Sequence, residues 1–145
     1  MKAITKPLRE PLKSFQVDNC QHWISELRSG EFKQANGTLF RSNDNSYCCL
    51  GVACKIKGMY VNLSRFQYRG FDYGLIPPVD YFEFVYGFKP DQILAMTDFG
   101  LPCDLPTLND NYHFTFKQIA DIIESVCITR TSITIDRECQ EETSY

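Results

Sequence analysis

The stretch Thr115-Phe116-Lys117-Gln118-Ile119-Ala120-Asp121-Ile122-Ile123-Glu124-Ser125-Val126-Cys127 runs directly into Ile128-Thr129-Arg130-Thr131-Ser132-Ile133-Thr134-Ile135. The first part has helical spacing. Phe116, Ile119, Ala120, Ile123, Val126 and Cys127 fall on one face. Its start is marked twice. Thr115 and Gln118 stand three apart as a capping box, and Phe114 and Ile119 occupy the positions of a hydrophobic staple. The second part is β-branched and alternating, which suits a strand. A helix over about 116–127 followed by a strand within 128–135 points to an α+β chain.

The same signals recur upstream. Cys20, Trp23, Ile24 and Leu27 form an apolar stripe, with Asp18 as cap, Gln21 three residues on, and Gly30 placed to end the turn. This spacing predicts a helix over about 19–29. Asn36-Gly37 between Phe32–Ala35 and Thr38–Arg41 predicts a hairpin. Ser42–Ser46 reads as a polar turn, and a second helix is expected from about Tyr47 to Lys57, stopped by Gly58. Gly51 inside it costs up to about 1 kcal/mol relative to Ala, which close packing of another element or close approach of a ligand would explain.

Nine aromatic residues lie between Phe66 and Phe88. Phe66 and Tyr68 alternate as in a strand, Val79–Tyr86 reads as a short helix after Pro77-Pro78, and Pro90–Met96 as another. Asn109-Asp110-Asn111 reads as a turn entering the last helix. The expected architecture is three to four helices on a small antiparallel sheet. It comprises an extended arm (1–16), one globular domain (17–135) and an acidic flexible tail (136–145).

Composition limits the function classes. The chain has 145 residues, a net charge of −3 and twenty aromatic side chains, which places it among globular proteins and provides no overall attraction to nucleic acid. No apolar run is long enough to span a membrane. The basic start, Met1 to Arg9, has no apolar segment behind it, so no signal peptide is expected. Seven cysteines cannot all pair, no Cys-x-x-Cys occurs, and His22 and His113 are the only histidines. Reduced thiols are therefore expected, with no metal site and no cofactor. Lys2, Lys6, Arg9 and Lys13 make the first residues basic, and Glu138, Glu141 and Glu142 make the end acidic. These suit either two solvated ends or an arm that pairs with the tail within or between chains.

Several blocks occur in order: Trp23-Ile24-Ser25-Glu26-Leu27-Arg28-Ser29-Gly30-Glu31-Phe32-Lys33-Gln34, Tyr47-Cys48-Cys49-Leu50-Gly51-Val52-Ala53-Cys54, Leu108-Asn109-Asp110, and Phe116 to Glu124. Over about residues 20–126 they resemble a widespread group of small uncharacterised proteins of tailed bacteriophages and prophages. The resemblance implies a phage source and a host-cytoplasm location, and it implies no activity. Cys49-Leu50-Gly51-Val52 also resembles the nucleophile block of papain-like cell-wall peptidases, which implies Cys49 as nucleophile with His113 as base.

The candidate sites follow from these residues. Cys48 and Cys49 stand at a predicted helix start, where the helix dipole stabilises a thiolate. Arg65, Tyr68, Arg69 and Tyr73 combine ring faces with cations, a set that can stack a nucleobase beside a phosphate or enter a protein interface. Asn109 and Asp110 could hold a ligand hydroxyl or a cation. The expected function is that of a phage-encoded accessory protein that binds a host protein or a nucleotide-like signalling molecule in host takeover or counter-defence. Two alternatives remain, a thiol hydrolase using Cys49 and His113 and a virion-associated structural protein. Self-association to a homo-oligomer would favour the last.

Overall fold

The computed structural model describes residues 1–58 and 79–137 in full, and the backbone of 61–62, 65–68 and 71–73. In chain order the elements are β1 (Lys2–Thr5), α1 (Ser14–Ser29), β2 (Lys33–Gln34), β3 (Phe40–Arg41), β4 (Ser46–Tyr47), α2 (Cys49–Ile56), β5 (Val61–Asn62), β6 (Arg65–Tyr68), β7 (Phe71–Tyr73), α3 (Val79–Tyr86), β8 (Ala95–Thr97), β9 (Pro102–Cys103), α4 (Leu105–Asp110) and α5 (Phe116–Ile123). A π-helical turn (Glu124–Thr129) and β10 (Thr134–Asp136) follow. The fold is α+β. Among the described residues it has five α-helices, more than the three to four expected, and its strands form small, mostly antiparallel sheets.

The main sheet has the order β10-β1-β8-β9, antiparallel throughout. Its inner face places Ala3, Thr5, Ala95, Thr97 and Cys103 against the helices. The expected arm is thus extended, but its first residues form an interior strand of this sheet. A residue alternation that puts Ala3 and Thr5 inward and Lys2 and Ile4 outward explains the pairing. The π-helical turn continues α5, and Arg130 at φ 51° ends it, so the last strand begins only at Thr134. Residues 138–145 of the expected tail lie outside the described residues.

α1 crosses the core and buries Cys20, Trp23, Ile24 and Leu27, the stripe read from the sequence. It starts a turn earlier than expected. Gln16 Oε1, not Gln21, reaches back to the start and accepts from the Lys13 backbone N–H at 3.1 Å. Trp23 is the packing centre. It meets Phe82, Tyr86 and Phe88 and donates from Nε1 to the Cys49 carbonyl at 3.0 Å.

Two local expectations give way to tertiary pairing. Residues 32–41 are not a hairpin. β2 pairs parallel with β4 and β3 pairs antiparallel with the opposite side of β4, so β4 separates the two strands. Pro90–Met96 is not a helix. The Leu94 N–H donates to Cys103 and Ala95–Thr97 pairs with β1 and β9, and these ladders outweigh the weak helical preference of so short a run.

Gly51 explains itself. A Cβ on it would stand 1.9 Å from the Leu39 carbonyl oxygen, so the helix can lie against the β3 entry only without a side chain. No helix among the described residues is long and apolar enough to cross a membrane.

Candidate functional site

Three of the singled-out residues, Cys49, Asn109 and Asp110, meet at the Asn109 side chain. α4 is built to deliver this side chain. Asp104 Oδ1 caps the helix by accepting from the Thr107 N–H at 2.9 Å, and a proline sits in the first turn. The expected turn at 109–111 is therefore the end of a helix, with Asn109 fully buried. Asn109 Oδ1 accepts from Gln34 Nε2 at 2.8 Å and from the Cys49 N–H at 3.3 Å. Its Nδ2 donates to the Ala35 carbonyl at 2.8 Å and to Asp110 Oδ1 at 2.7 Å, with Asn36 Oδ1 at 3.5 Å. One amide thus joins the β2 exit, the α2 start and its own helix. A buried amide with both ends satisfied in this way is a structural clamp.

At the α2 start, Cys48 takes the capping role usual for Ser or Asp, its Sγ accepting from the Gly51 N–H at 3.4 Å. Cys49 Sγ points inward and donates to the Leu105 carbonyl at 3.8 Å. Both thiols are buried. Burial pushes the Cys48 thiol up to about 12, although the Gly51 N–H pulls the other way. Burial, with the nearby Cys48 and Asp110, holds Cys49 well above the usual thiol range. Neither thiol is held as a thiolate at this helix start. Desolvation disfavours the charged form by more than the helix amides favour it.

His113 is exposed, sits in the left-handed region at φ 56°, and places Nδ1 3.3 Å from Asn36 Nδ2. Its carbonyl accepts from Arg137 Nε at 2.8 Å. The fold thus supplies His113 with a polar neighbour, Asn36, that sequence reasoning missed. The Asn36-Gly37 pair reads in sequence as a hairpin turn, which hides this role of Asn36. Among the described residues no hydrogen bond joins Cys49 to His113. Asn109 Nδ2 donates to Asp110 Oδ1, and no group of three or more metal-ligating side chains occurs among the described residues. Arg65 and Tyr68 fall on β6 and Tyr73 on β7, and their side chains, with all of Arg69, lie outside the described residues.

Gln34, the other missed residue, holds the same corner by donating to both Asn109 and the Phe114 carbonyl, each at 2.8 Å. Its signal was its place at the end of a strand two residues before Asn36.

Residues 17–73 match the model of a domain family of unknown function, DUF8296. That stretch is less than half of the chain. It includes α1 from Val17 onward, Cys48, Cys49 and Gly51, and it stops before Asn109 and His113. No curated protein and no solved structure matches the chain.

Proposed function

We propose that this chain acts by binding and not by catalysis, as a phage-encoded accessory protein whose target is a host protein. The observation that carries the reading is a pair of solvent-facing rings. Phe84 on α3 is 64% exposed and Phe15 on α1 is 41% exposed, with ring centroids 5.3 Å apart. Two phenyl groups held together at a surface keep apolar area in water, which a protein interface would remove. The rings are positioned and not loose. Gln16 Nε2 and Asn19 Nδ2 on α1 donate to the Phe84 and Val85 carbonyls on α3, at 3.1 and 2.9 Å. The sealed Cys49 supports the same reading from the other side, because a neutral buried thiol is a poor nucleophile.

The test is capture from bacterial lysate on the immobilised chain, compared with the Phe84→Ser variant. A protein retained by the wild-type chain and lost by the variant supports the reading. A hydrolase activity abolished by Cys49→Ala would overturn it in favour of the thiol mechanism.

A further inference from the structure

The exposed ring pair of Phe15 and Phe84 stands in acidic surroundings. On α1, Asp18 follows Phe15 by three positions, and on α3, Asp80 precedes Phe84 by four with Glu83 beside it. Side chains three or four apart share a helix face, with about 5–6 Å between their Cβ atoms. The inward sides are fixed by Cys20, Trp23, Ile24 and Leu27 on α1 and by Phe82, Val85 and Tyr86 on α3. The three acids therefore lie outward with the rings, Asp18 and Asp80 exposed and Glu83 half-buried. Among the described residues none of these carboxylates has a hydrogen-bond or ion-pair partner. α3 holds no basic residue, and the first lysine or arginine within α1 is Arg28, at its far end and paired with Asp121 and Glu124. Lys13 precedes α1, and Lys89 follows α3.

The two helices are locked together at the rings. The last three carbonyls of α3 accept from α1 side chains: Gln16 and Asn19 take those of Phe84 and Val85, and Cys20 Sγ donates to that of Tyr86 at 3.3 Å. A partner thus meets rings and carboxylates already placed, with little ordering cost. One chemical group matches both. A guanidinium is planar, so it stacks on a phenyl face while its edge pairs with a carboxylate. An ammonium is a point charge with no plane to stack. A phosphate or a nucleic acid would meet three like charges.

Building on the proposed binding function, we infer that the partner docks here through an arginine-bearing apolar segment. The guanidinium lies on the open face of Phe84 with Asp80 at its edge, and an adjacent apolar side chain of the partner covers Phe15. Asp18 and Glu83 add attraction for further cations of that segment.

Fluorescence anisotropy on the full chain tests this with three labelled helical peptides of leucine and alanine that carry arginine, lysine or glutamate at the same positions. The arginine peptide is expected to bind most tightly, with an affinity that falls as salt is added, and the glutamate peptide not to bind. Phe84→Ser is expected to weaken the arginine peptide by about tenfold or more, as for an aromatic anchor. Asp18→Asn combined with Asp80→Asn is expected to do the same. Glu31→Gln combined with Asp98→Asn removes as much charge outside α1 and α3 and should leave binding within about twofold. Circular dichroism confirms folding of each variant, since all five side chains are exposed. An arginine peptide that binds no tighter than the lysine one overturns the inference, as does binding untouched by Phe84→Ser or equal losses in the two double variants. Self-association of the chain that Phe84→Ser abolishes would put a second copy on the rings and overturn it too. A chain that retains a lysate protein through Phe84 but ignores the arginine peptide overturns this inference and leaves the binding reading standing. An arginine peptide bound through Phe84, with no lysate protein retained, leaves the surface chemistry standing and removes the host-protein reading.

Discussion

Asn109 Oδ1 accepts the backbone N–H of Cys49 across sixty residues of chain, at 3.3 Å. That contact makes the α2 start depend on the end of α4. Asn109→Ala would strand the buried Cys49 N–H, the Ala35 carbonyl and one donor of Gln34. A loss of about 3 kcal/mol is expected in urea unfolding, the scale of unsatisfied buried groups. Asn109→Asp keeps the acceptor but turns a negative charge on the Ala35 carbonyl and Asp110, and should cost at least as much. A neutral result for both variants would refute the clamp.

Gly51→Ala tests the close approach to Leu39. Helix propensity alone would favour alanine by about 1 kcal/mol. The clash with the Leu39 carbonyl should reverse the sign and leave a net loss of about 2 kcal/mol. Thermal unfolding of the variant measures it, and an unchanged or raised Tm would show that β3 can shift away.

The buried thiols make stability fall in alkali. A Cys48 thiol at about 12 stays neutral in the native state at a pH where the unfolded thiol, near 8.5, has ionised. The native state then holds more protons than the unfolded state. The stabilisation is therefore fully present below about pH 8.5 and is lost as pH rises toward 12, by about 1.4 kcal/mol per pH unit for each such thiol. Unfolding free energies between pH 8 and 11 should fall less steeply in Cys48→Ala than in the wild type. Equal slopes would contradict the burial of this thiol.

Thr115→Ala removes the acceptor for the Gln118 N–H at the α5 start. A loss of about 1 kcal/mol is expected from chemical denaturation, with Thr115→Ser close to wild type. An alanine variant as stable as the serine one would mean that the cap contributes nothing.

α5 was the most legible element because all its signals are local. Thr115 and Gln118 form the capping box, the N3 side chain returning to the cap N–H at 2.9 Å, and the apolar stripe is buried as spaced. The apolar stripe of α1 and the spans of α2 and α3 were legible for the same reason, but the start of α1 was not. The sheet was less so. β1 has two partner strands, β8 and β10, far along the chain, and nothing within Lys2–Thr5 announces them. The hairpin reading failed because Asn-Gly reports a local turn preference and cannot report that β4 will lie between its two strands. The candidate site was half legible. The sequence singled out Cys49, Asn109, Asp110 and His113, but their bonding depends on Gln34 and Asn36, which only the folded chain brings within reach. His113 lies in that corner beside Asn36, while the Cys49 sulfur points away into the core.

The pairing of β1 with β10 has a consequence for how the protein is made. Thr5 donates its backbone N–H to Ile133, and Ser132 Oγ donates to Thr5, so this residue waits for partners synthesised 127 and 128 residues later. On the ribosome, helices such as α1 can coil as they emerge, but β1 stays without one of its neighbours until residue 134 has left the tunnel. A contact pattern of such sequence separation slows folding through the entropy of closing the intervening chain. The nascent sheet therefore keeps an open edge along β1 until β10 has been made.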